Sequence, residues 1–170
     1  MGCAALHGNT VLESSAISPE AKFIRNAQTA ISELAEKSQA LFGKKADALT
    51  QLSTLVYECS EQNWDGNDAS AIDLLAVQIA SQFLCALPAD IQMPEFAPEP
   101  DGSVSLDWIK SRNRIFSISI GNSNRLACAW LDGTDRGHEV IRFDGCKIAP
   151  KVLNGIRDIV GYGDAAFRIA

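Results

Sequence analysis

Ser103-Val104-Ser105-Leu106-Asp107-Trp108 alternates polar and apolar side chains without a break, and Ile115-Phe116-Ser117-Ile118-Ser119-Ile120 repeats the alternation a short way on. A period of two puts Val104, Leu106 and Trp108 on one face of a strand and Phe116, Ile118 and Ile120 on one face of the next. That is the signature of a sheet buried on one side. Asp101-Gly102 opens the run, Ser111-Arg112-Asn113 makes a tight connection, and Gly121-Asn122-Ser123-Asn124 supplies a second turn from residues that accept positive φ or bond their own backbone. Leu126 to Leu131 follows with almost no polar side, the pattern of a strand placed centrally or covered on both faces. Asp132 to Gly137 reads as a longer polar loop and His138 to Phe143 as a fourth strand.

Helical patterns flank this meander. Ser18-Pro19-Glu20 combines a capping side chain, a proline pre-set for a first turn and an acidic residue at the positive end of the helix dipole. Ile24, Ala27, Ile31, Leu34 and Leu41 then recur at helical spacing, Gly43 is a stop or kink, and Leu49, Leu52, Val56 and Cys59 continue the period. After Asn63-Trp64-Asp65-Gly66-Asn67-Asp68, in which Asp68 is placed to cap a helix, the stripe Ile72, Leu75, Ala76, Ile79, Phe83 and Ala86 runs to Pro88. Prolines at 88, 94, 98 and 100 forbid a helix and give an extended connector. Pro150 opens a last helix, with Val152, Leu153, Ile156, Ile159 and Val160 on one face and Gly161 at its end. The expectation is an α+β fold with N-terminal helices, a four-stranded antiparallel meander and a C-terminal helix, the helices packed on one face of the sheet. Residues 1–17 form a loose arm, residues 18–60 a helical segment, and residues 61–170 an α+β domain that makes one structural unit with that segment.

Composition narrows the function classes. At 170 residues, 46% apolar and 21% charged, the chain is that of a globular protein with one core. Residues 1–100 carry five Lys/Arg against thirteen Asp/Glu, residues 101–170 ten against eight, so −8 and +2 sum to the net −6. A net acidic chain is repelled by phosphate, which disfavours nucleic acid as a partner. The five cysteines form no C-x-x-C pair and act as small hydrophobes, pointing to a reducing, cytoplasmic compartment. Neither a run long enough to cross a membrane nor a leader segment is read from the sequence, so no membrane association is expected, and no motif calls for a cofactor or a metal.

The loop Asn63-Trp64-Asp65-Gly66, the helix end Phe83-Leu84-Cys85-Ala86-Leu87-Pro88 and the strand opening at Pro100-Asp101-Gly102 with Trp108 come in one order over roughly residues 60–130. In this the chain resembles a family of small bacterial proteins without an assigned activity. There a W-D-G loop, an F-L-x-x-L-P helix end and a P-D-G-x-[VIL]-x-L-x-W strand recur. The resemblance implies a bacterial cytosolic origin, association with mobile genetic elements and the α+β fold, and it carries no chemistry with it. Asn67 stands where such proteins often have Tyr.

Candidate binding residues are Trp64 and Asp65, because a loop tryptophan offers a large rigid contact, and Arg112 and Arg114, which with Arg125 and Arg136 mark the sheet ends. An alternative site is Asp132, Asp135 and His138, residue types that serve as acid, base or ligand when they converge. Ser117 and Ser119 read as the polar face of a strand. The expected function is a non-enzymatic interaction module that uses the serine-rich sheet face or a free edge for a protein partner or for homo-oligomer formation. The competing expectation is a small hydrolase, or a metal- or small-ligand-binding protein, with its site near Asp132–His138 or in a pocket lined by Trp108, Trp130 and Phe116.

Overall fold

The computed structural model describes residues 42–161. The chain divides into two compact units, Met1–Ala40 and Leu41–Ala170, and the described residues belong to the second. The predicted arm at 1–17 and the stripe from Ile24 to Leu41 lie outside them. In chain order the elements are α1 (residues 42–58), α2 (Leu74–Ala86), β1 (Glu95–Pro98), β2 (Val104–Ser111), β3 (Arg114–Ile120), β4 (Arg125–Asp132), β5 (Asp135–Arg142) and α3 (Pro150–Val160). The fold is α+β, and the strands form one antiparallel sheet in the order β1-β2-β3-β4-β5.

The sheet has five strands rather than the four expected. The additional one, β1, lies in the proline connector and pairs Phe96 with Leu106 and Pro98 with Val104. Proline excludes a helix but not an edge strand, whose outer side needs no donor. The last turn is also tighter than expected, since Asp132 pairs directly with Asp135 and Gly133 has φ 64°. With a left-handed glycine first and Thr134 on the ordinary side of the map, this is a two-residue hairpin of type II′. It starts β5 three residues earlier than His138.

Alternation sorts the side chains as predicted in β2 and β3. Val104, Leu106, Trp108, Phe116, Ile118 and Ile120 are all buried, and α2 and α3 pack on that face against β2 and β3. Of the two expectations for β4, an inner position holds, since it lies between β3 and β5, whereas cover on both faces does not: Leu126 and Cys128 are buried, but Ala127 and Ala129 on the other face are exposed. Alanine is small enough to stand in water at little cost, so the weakly polar composition of that strand did not require a second layer.

Trp108 anchors the core. It is 2% exposed, meets Phe83 and Phe116 edge-on with centroids 6.4 and 6.3 Å away, and its indole N–H donates to the Gln92 carbonyl at 2.7 Å. A ring of this size brings a large apolar area and a donor that must find a partner when buried. Gly155 of α3 lets the helix settle on the sheet, because a Cβ there would stand 2.5 Å from the Phe116 ring.

Helices α1 and α2 form an antiparallel hairpin. Lys45 Nζ donates to the carbonyls of Cys85 (2.6 Å) and Leu87 (2.8 Å) at the C-terminal end of α2, while the Ile72 amide donates to the Cys59 carbonyl (2.9 Å) at the other end. A cation at a helix C-terminus satisfies orphan carbonyls and complements the dipole, each such contact contributing about 0.3–1 kcal/mol. Gly43, expected to stop or kink a helix, is itself helical. The cap of α2 is Asp73, whose Oδ1 accepts from the Leu75 amide at 2.8 Å; Asp68 instead sits at φ 66° outside the helix. α3 is as predicted, with Val152, Ile156 and Ile159 buried and Gly161 at φ 81° closing it.

Candidate functional site

Trp64 and Asp65 close their own loop. The Trp64 indole N–H donates to the Ser70 carbonyl (3.0 Å) and the ring packs against the core; Asp65 Oδ1 accepts from the amides of Asn67 (2.7 Å) and Ala69 (3.2 Å). The loop is tied to the start of β2 through Ser70 N–H to Pro100 O (2.8 Å) and Asp73 N–H to Gly102 O (2.9 Å). Arg112 and Arg114 follow the other end of β2. An eight-residue strand spans about 25 Å, so these two pairs of candidate residues are not brought together.

Arg112 is exposed in the β2–β3 turn, which touches the β4–β5 turn through Gly133 N–H to Asn113 O at 2.8 Å. Arg114 is engaged: its Nε donates to Asp132 Oδ1 at 2.8 Å and its Nη2 to the Asp158 carbonyl in α3. It clamps the end of the helix to the hairpin.

Asp132 and Asp135 face the helices and line a cleft of about 440 Å³ between β4, β5 and α3. Phe116 and Trp130 form its apolar floor; Glu139, Lys151, Asn154 and Asp158 complete its rim. Glu139 is bonded to Lys151. Of the expected pocket aromatics, Trp130 and Phe116 are here, whereas Trp108 belongs to the core. His138 does not join. It pairs with Ala129, and one residue of offset from Gly137 turns its ring to the opposite face of the sheet. Sequence reading missed Glu139 and Lys151. The parity of β5 would have found Glu139, four residues from Asp135, had the strand been started at Asp135. Among the described residues no group of three His, Cys, Asp or Glu side chains is placed to hold a metal ion.

Cys128 lies under the cleft, 1% exposed. Burial pushes its thiol up to about 11, with Glu139 adding to the rise and Lys151 opposing it. Burial likewise raises Cys59, helped by Glu58. Thiols so shifted are poor nucleophiles at neutral pH. Asp144 moves the other way, held below the usual carboxylate range by the amides of Lys147 and Cys146, which donate to it at 2.8 and 2.9 Å.

The second feature is the side of the sheet that no described element packs against. Ala97, Ser117, Ala127 and Ala129 fall on it by alternation, with Ser105, which is buried, and are flanked by Ile109 and Val140, which are 52% and 56% exposed. Ser119, on the same face, donates to Glu99 at 2.7 Å and so is held as a strand-face residue. No described helix covers this face, and none of the described helices is long and apolar enough to cross a membrane. No family model matches the chain, and neither a curated protein nor a solved structure matches it.

Proposed function

We propose that this protein is a non-enzymatic interaction module that engages a protein partner, or further copies of itself, through the side of its sheet away from the described helices. The observation that carries the reading is that face. Five strands about 4.8 Å apart and about seven residues long present a surface of roughly 500 Å², about what one partner contributes to a small interface, with small side chains at its centre and Arg136, His138, Val140 and Arg142 along one edge. Alanine and serine leave the surface flat, and the exposed Ile109 and Val140 give it apolar margins. The family resemblance fits this reading and adds no chemistry to it.

The test compares the wild type with Ala127→Lys/Ala129→Lys, which places cations in the middle of the face without touching the core. Light scattering of the purified protein is expected to give a mass above the 18.3 kDa monomer, or a stoichiometric companion on co-purification, and the variant is expected to lose it with unchanged circular dichroism. Identical masses and identical companions for the two proteins would sink the reading.

A second reading rests on the cleft. An aromatic floor beneath a carboxylate rim suits an organic cation, since ring faces and carboxylates both attract positive charge. Binding is favoured over catalysis there, because Asp132 and Glu139 are held by Arg114 and Lys151 and His138 is on the far side of the sheet. Titration calorimetry with alkylammonium and guanidinium compounds checks it; heat that is the same for the wild type and Asp135→Asn would dismiss it.

A further inference from the structure

The sheet has two edges, and they differ. β1 is four residues long and carries Pro98, whose outward side has no N–H. β5 is eight residues long and contains no proline. Because Asp132 and Asp135 close a two-residue hairpin, the hydrogen-bonded pairs with β4 are those of Asp135, Gly137, Glu139 and Ile141. The N–H and C=O groups of Arg136, His138, Val140 and Arg142 therefore point away from the sheet, and among the described residues no backbone group meets them. All four residues are exposed, with their side chains on the face away from the described helices.

On the face away from the helices, the charges along this edge are of one sign. Arg125 and Arg142 are direct cross-strand partners, an arrangement that is destabilising unless an anion lies between them. Arg136 adds a third cation at the other end of the strand. None of the three is in an ion pair among the described residues, whose salt bridges are those of Arg114, Lys151 and Arg157.

We infer that the β5 edge takes up an extended segment of a partner protein as a sixth strand, one with acidic side chains six residues apart opposite Arg136 and Arg142 and apolar or small ones between. This rests on the interaction reading and names the partner's chemistry. Main-chain bonds to the four outward residues supply affinity, and the carboxylate beside Arg142 also faces Arg125 and relieves the like-charge pair. A second copy's β5 is a poor occupant. Full antiparallel overlap puts Arg136 opposite Arg142 of the other copy, twice by symmetry, and Glu139 opposite Glu139, so like charges meet on both faces.

The probe is the synthetic peptide Thr-Glu-Thr-Val-Thr-Val-Thr-Glu-Thr, whose pattern reads the same in either strand direction, with fluorescence anisotropy as the readout of binding to the full chain. Saturable binding is expected, about tenfold or more weaker for Arg136→Glu/Arg142→Glu and for the same peptide with prolines at its first valine and central threonine, which removes a donor aimed at β5 in either strand direction, and lost when lysines replace the glutamates. The amides of Arg136, His138, Val140 and Arg142 should become slow to exchange in the complex. Equal binding of the proline peptide would mean attraction by charge alone and overturn the inference, as would protection that appears elsewhere or no saturation up to about 1 mM. If the peptide fails while Ala127→Lys/Ala129→Lys still dissociates an assembly, the edge inference falls and the interaction reading stands; if both fail, both fall.

Discussion

Trp130 of β4 lies across Gly137 of β5, its partner in the register, so closely that a methyl group at 137 would overlap the six-membered ring at Cζ2. The bare backbone of the glycine is what lets the indole lie down and form the floor of the cleft. An aromatic laid over a strand glycine also shields a backbone that would otherwise be open to water.

Gly137→Ala is therefore expected to lift Trp130 off the sheet, costing about 1–3 kcal/mol as an overpacked contact. The near-ultraviolet circular dichroism of the tryptophans should change while the far-ultraviolet spectrum does not. A variant as stable as the wild type, with an unaltered tryptophan signal, would show that the ring has room to shift freely.

Two terms are combined in Trp108 and can be separated. Trp108→Phe keeps most of the buried ring and loses the donor to Gln92 O, leaving that carbonyl to find another partner; a loss of about 1–2 kcal/mol is expected. Trp108→Ala removes the ring from between Phe83 and Phe116 as well and should cost about 3–5 kcal/mol in urea unfolding. Equal losses for the two variants would mean that the hydrogen bond, not the packing, dominates.

The parts of this fold that were legible in the sequence are those with a strong local period. Val104-Leu106-Trp108 and Phe116-Ile118-Ile120 announce their buried face, and Pro150 and Gly161 bracket α3. β1 was not legible because four residues around prolines carry no pattern: its pairing with β2 is set by the turn at Glu99–Gly102, where the Gly102 amide donates to Glu99 O. Nor was the site. The hairpin at Gly133-Thr134 fixes the parity of β5, and one residue of parity decides that Asp135 and Glu139 look at α3 while His138 looks away. Loop-rich polar sequence around Asp132–Gly137 hides that register, since a longer loop fits the same composition.

Asp65 is expected to matter for stability rather than for recognition. Asp65→Ala leaves the amides of Asn67 and Ala69 without their acceptor, in a loop that also holds Asn63 and Asp68 at positive φ. The expected loss is about 1–2 kcal/mol by thermal or chemical unfolding, with partner or peptide binding at the β5 edge unchanged. A variant of wild-type stability that no longer binds a partner would return Trp64 and Asp65 to the status of a recognition site.

Cys128 should make the protein sensitive to alkali in a defined window. Its thiol is raised from an ordinary value of 9.0 to about 11 in the folded state. Below pH 9 the thiol is neutral in both states and its contribution to stability is complete. As pH rises past 9 the unfolded chain gives up the proton while the buried thiol keeps it, so stability falls until the folded thiol also ionises near 11. The shift corresponds to a loss on the order of 3 kcal/mol across that interval. Urea unfolding of the wild type and Cys128→Ala at pH 8 and pH 10.5 isolates the effect, because the two proteins differ only at that thiol. Cys128→Ala should be the less stable at pH 8, where the smaller side chain leaves a void beside Ile118 and Glu139, its register partners, and the gap should narrow at pH 10.5. A gap that is constant over this range would place the Cys128 thiol in contact with water.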